Sequence, residues 1–108
     1  MGRVRTNVTV AGRNFWTLFD GGARNTYVVQ ELSSLLPTFE LERPESVSLG
    51  RRVHKVTREC RLICLVEGLP VRTHARVLEE IGIDEEGERI EILIGALTMQ
   101  EWGVRPNV

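Results

Sequence analysis

The sequence predicts a mostly β domain with one short helix near its C-terminus. Three observations carry that reading. Apolar and polar residues alternate over windows of five to eight residues, as they do on half-buried strands. The alternating segments are separated by short turn clusters such as Ala11-Gly12-Arg13 and Glu67-Gly68-Leu69-Pro70. A helical stretch, "ALTMQEWG", comes late and is followed by the stop signals Gly103 and Pro106.

In chain order, "RVRTNVTV" places Val4, Thr6, Val8 and Val10 on one face of a strand, and Ala11-Gly12-Arg13 turns the chain into "NFWTLF". That hairpin delivers the chain to Asp20, which closes an apolar run and is followed by two glycines. "TYVVQELSSLL" reads as a strand running into a short turn of helix before Pro37, and "TFELERPESVSLG" leads through Pro44 to another strand. "RRVHKVTRECRLICLVEGLPVRTHARVLEEI" reads as three strands, the last two joined at Glu67–Pro70. The acidic "GIDEEGER" reads as a solvated loop, and "IEILIG" as a buried strand. Two apolar runs therefore end in glycine, "TLFDGG" and "EILIG", and invite comparison with each other.

Composition narrows the function classes. A chain of 108 residues with 42% hydrophobic content fits one compact domain, residues 1–108, around a modest core. The 14 Lys+Arg and 15 Asp+Glu residues are interspersed and aromatics make up only 6%, so no basic stripe with stacking platforms forms and nucleic acid is not an expected partner. No apolar run reaches signal-peptide length or the ~20 residues of a membrane span, which argues against a membrane and for a cytoplasmic location.

Cys60 and Cys64 fall four residues apart on one strand, ~13 Å, against the ~7 Å limit for a disulfide, so core-facing thiols are expected. Their spacing with His54 and His74 matches no established zinc pattern. Both histidines sit in alternating segments beside basic residues and read as surface spectators, while Trp16 and Trp102 read as core or interface residues. No metal ligand set and no organic cofactor are expected.

The ordered combination of an apolar strand, Asp20-Gly21-Gly22-Ala23, the strand "TYVV", a central hairpin and "ILIGALTMQEWG" resembles the retropepsin-like aspartic protease family over nearly the whole chain. The family's Asp-Thr/Ser-Gly-Ala signature falls on Asp20, Gly21, Gly22 and Ala23, and its late apolar strand and helix fall on Ile92–Gly95 and Ala96–Trp102. The resemblance implies a closed acid-protease barrel and an aspartic endopeptidase whose partners are a peptide or protein substrate and a second copy of the chain.

The chemistry agrees. An aspartic peptidase needs two carboxylates about 3 Å apart sharing one proton, one to activate water and the other to protonate the scissile carbonyl. Only Asp20 lies in a suitable motif, so the second carboxylate comes from an identical chain across a two-fold axis. The resemblance also implies a flap covering the substrate. It falls on the hairpin 46–56, with Leu49, Gly50, Arg51, Arg52 and Val53 as flap residues and Gly50-Arg51-Arg52 at the tip.

Three positions depart from the family pattern. Gly21 replaces the Thr or Ser whose hydroxyl ties the two active-site loops together across the dimer. Ala96 and Leu97 stand where many members brace the loop with charged or amide residues, with Arg24 just after the motif. The flap tip carries fewer glycines than the family's. These departures leave a second reading open: the same fold with a degraded loop, serving as a peptide- or protein-binding module.

Overall fold

A computed structural model describes residues 3–104. The chain forms β1 (Arg3–Val10), β2 (Arg13–Asp20), β3 (Tyr27–Val29), α1 (Gln30–Ser33), β4 (Thr38–Leu49), β5 (Arg52–Val66), β6 (Leu69–Leu78), β7 (Gly82–Ile83), β8 (Arg89–Ile90), β9 (Ile92–Ile94) and α2 (Ala96–Trp102). Seven strands share one sheet in the order β1-β2-β9-β3-β6-β5-β4, and β1 also meets β5 at the pair Thr9–Leu65, so the sheet curls back on itself. The described residues are thus mostly strand, as the alternation predicts.

Local turn chemistry accounts for the hairpins. Ala11-Gly12 and Glu67-Gly68 close two-residue loops with positive φ at both positions (50° and 78°, 49° and 81°), the conformation that matches the right-handed twist of flanking strands. Gly50, at φ 63°, supplies the positive φ needed at the first position of the loop between Leu49 and Arg52. Alternation then decides which side is buried: on β5, Cys60, Leu62, Cys64 and Val66 face inward against Val71 and Ala75 of β6, while Val56 joins a second cluster with Leu18, Tyr27 and Leu93.

Two of the sequence expectations are corrected. The stretch 52–78 forms two strands, not three, because nothing between Arg52 and Val66 interrupts the pattern. That segment contains no Gly, Pro, Asn or Asp, and it runs unbroken for 15 residues. On β4, Pro44 does not separate a lead-in from a strand. It lies in a register irregularity where residues 41–44 face only Thr57, a position at which its missing N–H disturbs no ladder.

The acidic segment is also more ordered than a solvated loop. β7 and β8 pair at Gly82–Ile90 and Ile83–Arg89, and Asp84 Oδ1 accepts the N–H groups of Glu86 and Glu88 at 2.9 Å each. Its other oxygen accepts the indole N–H of Trp16 at 2.8 Å. That bond, followed by those from Glu88 and Glu86, holds the Asp84 carboxyl below its ordinary pKa.

Cys60 and Cys64 are free and buried, as expected from their spacing along the strand. Burial pushes both thiols up to about 11 from an ordinary 9.0, with the nearby Glu59 charge adding to the effect at Cys60. A raised folded-state value favours the neutral thiol, so this contribution to stability is complete below pH ~9 and is lost as pH rises toward ~11. Denaturation midpoints measured across that interval should fall with pH, and Cys60→Ala/Cys64→Ala should flatten the slope. His54 departs from its surface reading: it is half-buried, and its Nε2 is enclosed without a hydrogen-bond partner among the described residues. His74 is exposed, as expected. Pro106 lies outside the described residues; Gly103 ends α2 as its C-cap, taking φ 65°.

Candidate functional site

The two glycine-ended runs lie side by side. β2 and β9 are parallel neighbours, pairing Thr17 with Ile92, Leu18 with Leu93 and Phe19 with Ile94, so the chain leaves both strands at the same edge, one at Asp20 and the other at Gly95. β9 is in turn antiparallel to β3, through Tyr27–Leu93 and Val28–Ile92. The loop 21–26 is therefore clamped between strand ends whose side chains are almost wholly buried.

Asp20 ends β2 with only 7% of its surface exposed. Its Oδ1 accepts the Gly22 N–H at 2.9 Å, and its carbonyl accepts the Ala23 N–H at 3.1 Å, which folds the motif into a tight turn. Gly21 lies outside the left-handed φ region, and a Cβ built there meets nothing within 4 Å. The turn therefore does not need glycine at position 21, either for conformation or for space.

Gly95 is the opposite case. Its φ of −91° and ψ of 176° suit any residue, but an added Cβ would lie 2.6 Å from the Asn25 carbonyl carbon and 2.7 Å from the Arg24 carbonyl oxygen. The backbone of the Asp20 loop passes too close for a side chain. α2 starts directly from this contact. Its first N–H groups, which no intrahelical carbonyl can satisfy, donate to the loop: Ala96 N to Ala23 O at 2.7 Å and Leu97 N to Arg24 O at 3.1 Å. The brace thus runs through backbone, which explains how apolar Ala96 and Leu97 can occupy these positions.

Three threonines complete the clamp, and sequence reasoning missed them. Thr26 Oγ1 accepts the Gly95 N–H at 3.1 Å and bonds Thr98 Oγ1 at 2.8 Å, which in turn lies 3.0 Å from Thr73 Oγ1. Thr26 and Thr98 are buried, so their hydroxyls satisfy one another in a setting where an unpaired one costs about 1–3 kcal/mol. The available signal was a single hydroxyl residue at an otherwise apolar phase in "TYVV" and "ALTM".

The hairpin tip of β4–β5 stands over this loop. A groove of about 470 Å³ has Asp20, Gly22, Ala23, Arg24, Asn25 and Tyr27 along one wall and residues 46–50 along the other. Val47 and Leu49 pack on an apolar cluster with Tyr27, Leu93 and Val56, and this contact seats the hairpin. Of the five expected flap residues, the structure brings Leu49 and Gly50 to the groove. Arg51, Arg52 and Val53 are exposed and do not line it; Val53 is 73% exposed. Trp16 packs beside the same cluster, and Trp102, at the surface, donates its indole N–H to Arg72 O at 2.8 Å.

Among the described residues, no three His, Cys, Asp or Glu side chains gather as a metal site, and no helix is long and apolar enough to cross a membrane. No family model matches the sequence, and no curated protein matches it. Among solved structures, the chain is similar to EIAV protease complexed with the inhibitor HBY-793. The match has a TM-score of 0.65 and 14% identity, and it covers 99% of this chain and 94% of that one. The chain has a retropepsin-like fold.

Proposed function

We propose that this retropepsin-like chain, residues 1–108 acting as one unit, is an aspartic endopeptidase that works as a homodimer. The observation that carries the reading is the placement of Asp20: nearly buried, at the end of a core strand, on one wall of a groove whose other wall is a hairpin tip. In this reading two chains meet about a two-fold axis and bring their Asp20 carboxylates together, sharing one proton. The ionised partner draws a proton from water as the water adds to the scissile carbonyl, while the protonated partner gives its proton to the carbonyl oxygen; the tetrahedral diol then collapses, the C–N bond breaking as the leaving nitrogen takes up the proton drawn from water and a diol hydroxyl returns its proton to the dyad. Gly21, Gly22 and Ala23 form the active-site loop, and Gly22 N–H orients one carboxylate oxygen. Leu49 and Gly50 cover the bound peptide, with Arg51, Arg52 and Val53 at the outer surface of the flap. No cofactor enters this scheme.

Assembly provides the direct test. Because each chain supplies half the site, specific activity should fall on dilution in step with dimer dissociation followed by analytical ultracentrifugation. Activity that stays constant in a demonstrated monomer would contradict the two-chain site.

Position 21 tests whether a cross-subunit tie can be rebuilt. Its space is open and its φ is not left-handed, so Gly21→Thr should fold normally. The new hydroxyls should tighten the dimer, each cross-subunit bond contributing about 0.5–1.5 kcal/mol and symmetry making it twice. The measurement is the dimer dissociation constant beside the peptide cleavage rate. A weaker dimer would show that the loops do not meet as this reading requires. The alternative of a binding module without catalysis predicts peptide binding and no cleavage in every variant.

A further inference from the structure

We propose that Arg24 forms a subsite for an acidic side chain of the peptide, which rests on the peptidase reading above. Among the described residues lining the groove, Arg24 is the one cation and Asp20 the one anion. Asn25, Ser46 and Ser48 supply neutral hydrogen-bonding groups along the same walls, so an incoming acidic side chain meets Arg24 beside neutral polar groups.

Arg24 is available for that role. It is exposed and forms no ion pair with any described residue. Its backbone is held from both sides, because the Ala23 carbonyl accepts the Ala96 N–H at 2.7 Å and the Arg24 carbonyl accepts the Leu97 N–H at 3.1 Å. A long side chain rooted on a fixed backbone beside the reacting carboxylate offers a forked donor that matches a carboxylate in two-point contact.

The surrounding charges favour the same substrate. Glu45, the acid next to the groove wall at Ser46, is held at 2.8 Å by Arg76. Arg51 and Arg52 extend positive charge over the exposed tip of the flap, where it attracts acidic peptides toward the groove. In a two-fold dimer each half contributes one Arg24, so the preference for Glu or Asp belongs on both sides of the scissile bond, at symmetry-related positions.

The test uses synthetic peptide pairs that are identical except for Glu or Gln at one position flanking the cleavage site, scanned position by position. The wild-type chain and Arg24→Gln, Arg24→Glu and Arg24→Lys are compared for kcat/KM. The same peptides are titrated against Asp20→Asn, alone and combined with Arg24→Gln, by fluorescence anisotropy. The expected result is a preference for Glu of roughly ten- to a hundredfold, the size of a charge-assisted contact, lost in Arg24→Gln, reversed toward basic peptides in Arg24→Glu and partly kept in Arg24→Lys.

Cleavage without a Glu preference, or with one that Arg24→Gln leaves intact, overturns the subsite and leaves the peptidase reading standing. Glu-selective binding that depends on Arg24, in a chain that cuts nothing, supports the subsite and overturns the peptidase reading. Failure of every peptide both to bind and to be cut overturns both.

Discussion

Under the proposed peptidase function, Asp20→Asn should abolish peptide cleavage, lowering the rate by roughly 10³-fold or more, while the protein stays folded and keeps the proposed dimer. The substitution is close to isosteric, and its amide oxygen can still accept the Gly22 N–H that the Asp20 Oδ1 accepts at 2.9 Å. In the proposed homodimeric peptidase, what it removes is the ability to hold and release a proton at the two-fold axis. Titrating the variant into wild-type enzyme extends the test. Random exchange of subunits at equal amounts leaves about a quarter of the dimers with two carboxylates, so activity should fall to about half that of the same quantity of wild type alone. An additive response, with no inhibition, would mean that one chain suffices. The wild-type rate should also trace a bell against pH, because the proposed dyad is productive with one proton and fails with two or with none.

Gly95→Ala should be severely damaging for a single added methyl, destabilising the fold by about 3 kcal/mol or more and lowering Tm by ~10 °C or more. The atoms that the new Cβ would meet belong to the backbone of Arg24 and Asn25, which cannot rotate aside as a flexible side chain would. Relief requires parting β9 from the Asp20 loop. That movement breaks the Gly95 N–H bond to Thr26 and strains the contacts of Ala96 and Leu97 with the loop carbonyls. The dihedral angles at Gly95 suit alanine, so the cost is one of space rather than conformation. Gly21→Ala serves as the control: it adds the same methyl on the other side of the site, where nothing lies within 4 Å, and should leave the denaturation midpoint nearly unchanged. Equal effects from the two substitutions would show that the loop and β9 are not in the close contact described.

The sequence by itself determined the pieces whose causes are local. The turns around Ala11-Gly12 and Glu67-Gly68 were legible, because a glycine between alternating runs meets the dihedral demands of a hairpin, but Arg13, Leu69 and Pro70, read with them as turn, belong to the following strands. The phase of burial on β5 was legible because side chains on a strand alternate strictly, and the end of α2 was legible because Gly103 can enter the left-handed region. Asp20 stood out for a related reason, since a carboxylate at the end of an apolar run is costly to bury without partners.

Only the tertiary structure decided what those pieces meet. That "TLFDGG" and "EILIG" pair in parallel, bringing Gly95 against the loop after Asp20, depends on strands more than 70 residues apart, and no local preference encodes such a pairing. The hydroxyl chain Thr73–Thr98–Thr26 likewise joins three separate segments, and each threonine alone looks like an ordinary strand or helix residue. The groove has the same origin: which of residues 46–53 face Asp20 depends on how Val47 and Leu49 seat the hairpin on the core, and that packing turns Leu49 and Gly50 inward while leaving both tip arginines in solvent.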